Sequence, residues 1–238
     1  METELLSVLA LGLLLGIKHA IEPDHIIAVS TIASRSRSLL RSSLAGVFWG
    51  IGHTATLSAA GAAIILIRGD IPDKWALSLE FLVGIMLVWL GVTSIRSLTS
   101  LQDRKHGHVD GERKHVHSQA AGSGHSHRHD GRPVSYLQSA AVGLVHGLAG
   151  SGAMALLAMS SVDSGWEAAV YMLVFGAGTV IGMLAFTTVI GLPFVLTARK
   201  LTVNLTLTRL TGAISVIFGI FYMYRLGFRE GLFSLWLS

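Results

Sequence analysis

The sequence predicts an all-α integral membrane protein, six transmembrane helices arranged as two inverted three-helix repeats. Three observations carry this expectation. Hydrophobic residues make up 51% of the 238 residues and charged residues 13%, with a mean hydropathy of +0.61, outside the balance of a soluble domain. The apolar residues gather into stretches long enough to cross about 30 Å of hydrocarbon at about 1.5 Å per residue. Patterns of the first half also recur in the second half, in the same order.

The predicted spans cover roughly residues 5–33, 43–67, 75–98, 135–160, 166–197 and 207–226. The first lacks the charged start and small-residue cleavage site of a signal peptide, so it is expected to stay in the mature protein. Residues 1–98 then form the first repeat, 99–134 a cytoplasmic histidine-rich disordered loop, and 135–238 the second repeat. Lysine and arginine set the orientation. Arg35, Arg37 and Arg41 follow the first span, Arg104, Lys105, Arg113, Lys114, Arg128 and Arg132 the third, and Arg199 and Lys200 the fifth. The opposite side carries mainly Arg68, Lys74 and Arg229 with the acidic Glu2, Glu4, Asp163 and Glu167. The positive-inside rule therefore puts both termini outside the cytoplasm. The net charge of +4 and pI near 9.7 reflect these loops, and no nucleic-acid partner is expected. The chain has no cysteine, which excludes disulfides, thiolate metal sites and a thiol redox carrier.

The repeat rests on three correspondences. Gly16-Ile17-Lys18-His19-Ala20-Ile21 matches Gly143-Leu144-Val145-His146-Gly147-Leu148, continuing without a gap through Ala28 against Ala155. Gly50-Ile51-Gly52-His53 aligns with Gly176-Ala177-Gly178-Thr179, and Gly84 and Gly91 align with Gly212 and Gly219. A repeat of three spans brings its second copy into the membrane from the other side. That is the plan of many transporters, with the site near the midplane where broken helices meet.

Within the first span lies His19-Ala20-Ile21-Glu22-Pro23-Asp24-His25. Ionisable groups at bilayer depth are costly and mark ion or substrate paths. Pro23 cannot donate to the carbonyl of His19, so a helix break is expected there, freeing a backbone oxygen beside the side chains. On an unbroken helix His19, Asp24 and His25 splay apart, because five and six residues turn through about 140° and 240°. A break lets them converge. Counted from the cytoplasmic ends, His25, His53 and His146 lie roughly 11–15 Å deep and His19 about 20 Å. These four histidines form the candidate site, against the alternative that each is a hydrogen-bonded core group. Glu22 is read as pairing with Lys18 or facing water, Glu80 and Asp163 as solvated at the interface. Gly147, Gly150 and Gly152 are read as close-packing residues.

The spacing of His19, Asp24 and His25, followed by Gly52-His53-Thr54, resembles the motifs of the nickel/cobalt transporter (NiCoT) family. The full run Gly16 to His25, with His146-Gly147-Leu148-Ala149-Gly150-Ser151, is most similar to its UreH-type branch, bacterial membrane proteins associated with nickel supply to urease. The resemblance covers nearly all of the chain outside the central loop. It implies a permease for divalent nickel or cobalt in the bacterial plasma membrane, with the ion as substrate, no cofactor, and a cytoplasmic nickel chaperone as a possible partner. It also implies that His19, Asp24 and His25 are required for transport and that His53 is the second-motif histidine. Family members with eight spans depart from the six read here.

The chemistry agrees independently. Imidazole with carboxylate suits Ni(II) or Co(II), whereas an all-oxygen cage suits magnesium or calcium. The central loop adds His106, His108, His115, His117, His125, His127 and His129, placed so that pairs two apart can chelate metal weakly, or serve as an incidental solvated linker. Two other readings stay open: efflux for metal resistance, whose members in the wider family this chain resembles in its histidine-rich loop but not at Asp24, where the resemblance implies glycine for efflux, and a membrane metalloenzyme. The latter lacks a HExxH helix and the multiple paired histidine boxes such enzymes use, so no enzymatic activity is expected.

Overall fold

The structure, a computed structural model, describes residues 2–36, 38–67, 72–103, 135–149 and 165–237. The seven loop histidines, Arg37, Gly150, Ser151, Gly152, Ala155, Asp163 and the end of the fourth expected span lie outside these residues. All the described regular structure is helical: α1 (Glu2–His19), α2 (Pro23–Ala33), α3 (Leu39–Ile67), α4 (Asp73–Asp103), α5 (Tyr136–Ala149), α6 (Gly165–Leu196), α7 (Leu201–Tyr224), a π-helical turn (Arg225–Arg229) and α8 (Leu232–Leu237).

Among the described residues, three segments are long and apolar enough to cross a membrane, Asp73–Arg96, Gly165–Leu196 and Leu201–Arg229, and the bent pair α1–α2 makes a fourth. The protein is a multi-pass membrane protein. Its outward faces carry exposed large apolar residues such as Leu14, Ile181, Val189 and Ile217, which match hydrocarbon rather than water as the surrounding solvent. Helix α3, 29 residues long, is apolar along most of its length and carries Ser42, Ser43, His53, Thr54 and Thr56. It lies inside the bundle, packed on both α5 and α6.

The first expected span is two helices bent by 56°. Its last turn tightens, with Ile21 N–H donating to Lys18 O and Glu22 N–H to His19 O, each at 3.1 Å. Glu22 is extended (φ −66°, ψ 150°) and Pro23 occupies the first turn of α2. A residue before proline is pushed out of the helical region, and proline's fixed φ suits a helix start. The break thus falls just before Pro23, over Ala20–Glu22. The freed His19 carbonyl is a correction to the sequence reading, because the Glu22 N–H takes it up.

Three boundaries also differ. Helix α4 continues to Asp103, into the stretch read as loop from residue 99. Helix α7 begins at Leu201 instead of 207, because its polar side chains find partners within the fold. Thr206 and Thr208 hydroxyls donate to the carbonyls of Thr202 and Asn204, at 2.9 Å each. The Asn204 amide donates to Phe194 O at 3.0 Å across the short α6–α7 turn. Such satisfied groups are helix-compatible despite low hydropathy. The chain end, beyond the last expected span, turns at Gly231 (φ 82°) into α8. There the Trp236 indole donates to Ser78 Oγ at 3.1 Å.

Helix α1 packs on α6, α5 on α3, α3 on α6, and α4 on α7. Backbones approach closely where glycine leaves room. A Cβ at Gly91 would lie 2.5 Å from Gly212 O, and one at Gly219 2.8 Å from Gly84 O. Without a hydrophobic drive between helices in lipid, such small-residue contacts supply much of the packing.

Candidate metal centre

Helix α1 supplies His19 from its last turn, α2 supplies Asp24 and His25 from its first turn, α3 supplies His53, and α5 supplies His146. The α1–α2 break turns His25 back towards His19, leaving their ring centroids 4.6 Å apart. Close α3–α5 packing brings in His146. A Cβ at Gly147 would fall on the His53 carbonyl, and one at Gly143 on the Trp49 carbonyl, so glycine at both positions lets α5 sit against α3.

All four histidines are buried, His25 and His53 completely. His19 Nε2 and His53 Nε2 stand 3.2 Å apart. Asp24 lies between two imidazoles, its Oδ2 3.0 Å from His146 Nε2 and its Oδ1 3.3 Å from His25 Nδ1. The ring centroids of His25 and His146 are 4.1 Å apart. Ligand atoms of His19, His25 and His53 lie within 4.8 Å of one another, as do those of Asp24, His25 and His146. Asp24 sits in the first turn of α2, where the positive end of the helix dipole favours its charge.

The structure therefore brings together every span residue singled out in the sequence, His19, Asp24, His25, His53 and His146, around the break before Pro23. Two further residues join them. The Glu22 side chain is 45% exposed, so it faces water as read, and its carboxylate also lies 2.9 Å from His19 Nδ1, a contact the sequence reading did not include. Its spacing of three from His19, on the last helical turn, was the available signal. Trp49 is fully buried and stacks on His25, with centroids 6.1 Å apart and planes 17° apart. Its position one turn before His53 on α3 could have identified it. Glu80, near the start of α4, has a partner as well. It is half-buried and accepts a hydrogen bond from the Tyr222 hydroxyl at 3.3 Å.

The donor set is imidazole nitrogen and carboxylate oxygen with no sulfur, which suits borderline divalent ions such as Ni(II) and Co(II). His25 Nε2, His53 Nδ1 and His146 Nδ1 have no hydrogen-bond partner among the described residues. Buried polar atoms without partners are costly. Nitrogens bound about 2.1 Å from one ion stand roughly 3.0–3.4 Å apart, the spacing His19 and His53 already have.

Residues 7–221 match the family described as the cytochrome C biogenesis protein transmembrane region. The chain is 52% identical to the urease accessory protein UreH of Bacillus sp. (strain TB-90), over 99% of both chains. It is 25% identical to the chloroplast protein FOR GROWTH AND FERTILITY 2 of Arabidopsis thaliana, over 80% of this chain and 49% of that one. It is 26% identical to FOR GROWTH AND FERTILITY 1 of the same plant, over 76% of this chain and 48% of that one. No solved structure matches.

Proposed function

Because the chain belongs to the cytochrome C biogenesis protein transmembrane-region family and to the family of the urease accessory protein UreH, we propose that it is a membrane permease for divalent nickel, or cobalt, working in uptake that supplies urease or another nickel enzyme. The observation that carries this reading is the cluster of buried His19, His25, His53 and His146 with partly buried Asp24, on four helices around a break. Intramembrane ionisable groups at a helix break are the usual makings of an ion path. The name of the Bacillus relative supports the link to urease. A thiol-based activity needs cysteine, which this chain lacks.

The permease is built as two inverted repeats of three spans. Crossed packing supports this: α1 lies on α6 as α5 lies on α3, and α4 and α7 lie on each other. The repeat alignment carries Gly16 onto Gly143 and Phe175 onto Trp49. A Cβ at Gly16 would strike the Phe175 carbonyl, and one at Gly143 the Trp49 carbonyl. The alignment also carries Gly84 onto Gly212 and Gly91 onto Gly219, and the observed approaches, Gly84 to Gly219 and Gly91 to Gly212, are the pair that a two-fold axis exchanges. Both termini face away from the cytoplasm of a bacterial cell, by the placement of lysine and arginine.

Radioactive nickel uptake by cells expressing alanine variants at Asp24, His25 and His53 tests the assignment. Each should lose most transport at normal membrane levels, and near-normal uptake by Asp24→Ala and His25→Ala would remove it. Direction is read from the intact chain. Import raises cellular nickel and urease activity at trace metal and sensitises cells to excess, whereas nickel tolerance on expression would reverse the assignment to efflux.

A further inference from the structure

The cluster divides into two ligand sets that share one residue. His19, His25 and His53 make an all-nitrogen set, and Asp24, His25 and His146 a set with one carboxylate, each with ligand atoms within 4.8 Å. His25 Nδ1 lies 3.3 Å from Asp24 Oδ1, while its Nε2, on the other side of the ring, is buried with no hydrogen-bond partner among the described residues. Each set contains one pair already at the spacing of two donors on a common ion. These pairs are His19 Nε2 with His53 Nε2 at 3.2 Å, and Asp24 Oδ2 with His146 Nε2 at 3.0 Å.

Building on the permease reading, we propose that these sets are two successive stations for one divalent cation, with His25 as the ligand common to both. At one station the ion is held by His19, His53 and the Nε2 side of His25. At the other it is held by Asp24, His146 and the Nδ1 side. In transfer the bonds to His19, His53 and His25 Nε2 break as bonds to Asp24, His146 and His25 Nδ1 form, so the ion passes across the His25 ring without release to hydrocarbon, where a bare dication is strongly disfavoured. The stations also differ in charge. The carboxylate of Asp24 attracts a dication more than neutral imidazole does in a low-dielectric interior, so the two sites are unequal and removing either interrupts passage. His146, from the second half of the chain, thereby becomes a metal ligand in its own right instead of a core histidine.

The test uses the full chain with its seven loop histidines replaced by serine, so that the loop adds no signal, and Co2+ as the probe. Metal binding is measured by equilibrium dialysis, the ligands are counted by cobalt X-ray absorption, and flux is measured in proteoliposomes. His53→Gln should keep Co2+ bound with carboxylate oxygen and imidazole. His146→Gln should keep it bound by imidazoles of the all-nitrogen set. His25→Gln should weaken binding by more than about tenfold, and all three should stop flux. If His53→Gln or His146→Gln loses binding as completely as His25→Gln, the site is undivided and the two-station proposal fails. It also fails if His146→Gln leaves both ligand count and flux unchanged. Should His53→Gln not fold, His19→Gln removes the same station. Two distinct ligand sets in a chain without flux would support the stations and sink the permease reading, whereas flux through an undivided site would do the opposite.

Discussion

His19 Nε2 and His53 Nε2 face each other at 3.2 Å although 34 positions separate them in the chain. One sits on the last turn of a helix that stops short of Pro23, the other in the middle of α3, which packs on both α5 and α6. Their approach depends on the turn at Ala20–Glu22 and on the glycines that let neighbouring helices close in. The behaviour of the site should therefore respond to changes in ligands, orienting groups and packing separately.

Glu22 is the orienting group. Its carboxylate lies 2.9 Å from His19 Nδ1, a charge contact outside hydrogen-bond geometry, where its negative charge favours a proton on that nitrogen and leaves Nε2 free to ligate. Glu22→Ala should weaken metal binding by about tenfold while leaving membrane levels unchanged, and Glu22→Gln should recover part of the loss. Binding titrations of the purified variants with Ni2+ check this. Unchanged affinity in Glu22→Ala would mean that the pair is incidental.

Packing is tested at Gly147. Any Cβ there would strike the His53 carbonyl, so Gly147→Ala should push α5 from α3 at a cost of about 1–3 kcal/mol and displace His146. A lower Tm in detergent together with reduced uptake is the expected result. Wild-type Tm and uptake would show that the α3–α5 contact is looser than the structure has it.

Metal capture should weaken as pH falls. A histidine nitrogen ligates only when unprotonated, so each proton taken up by the cluster competes with the ion. Binding of Ni2+ by the purified protein should therefore be tighter at about pH 7.5 than at about pH 4. Affinity independent of pH across that range would argue against imidazole as the main donor.

Topology follows from charge. Reporter fusions at the C-terminus should be active on the outer side of the membrane and those within residues 106–129 on the cytoplasmic side. A cytoplasmic C-terminus would undo the inverted arrangement of the halves.

Deleting residues 105–130 should preserve nickel transport while altering its dependence on metal concentration, because the ligands within the spans remain and only weak chelators are lost. Complete loss of transport in a well-expressed deletion would place the essential site in the loop.

The sequence by itself determined the helical membrane class, the broken first span and the identity of the five ligand candidates. These follow from composition, from the missing N–H of Pro23 and from the high cost of ionisable groups in lipid, all of which act locally. The start of α7 escaped it because hydropathy counts Thr202, Asn204 and Thr206 as polar, whereas Thr206 back-bonds to a carbonyl within its helix and Asn204 donates to Phe194. The carbonyl of His19 was misjudged because a tight turn can claim an oxygen that a straight helix would leave free. Only the tertiary structure decided that Trp49 stacks on His25 and that His146 Nε2 reaches Asp24 at 3.0 Å. Those contacts depend on the bend angle and on how closely α3 and α5 approach, quantities fixed by side chains and glycines meeting across the bundle, which no local stretch of sequence encodes.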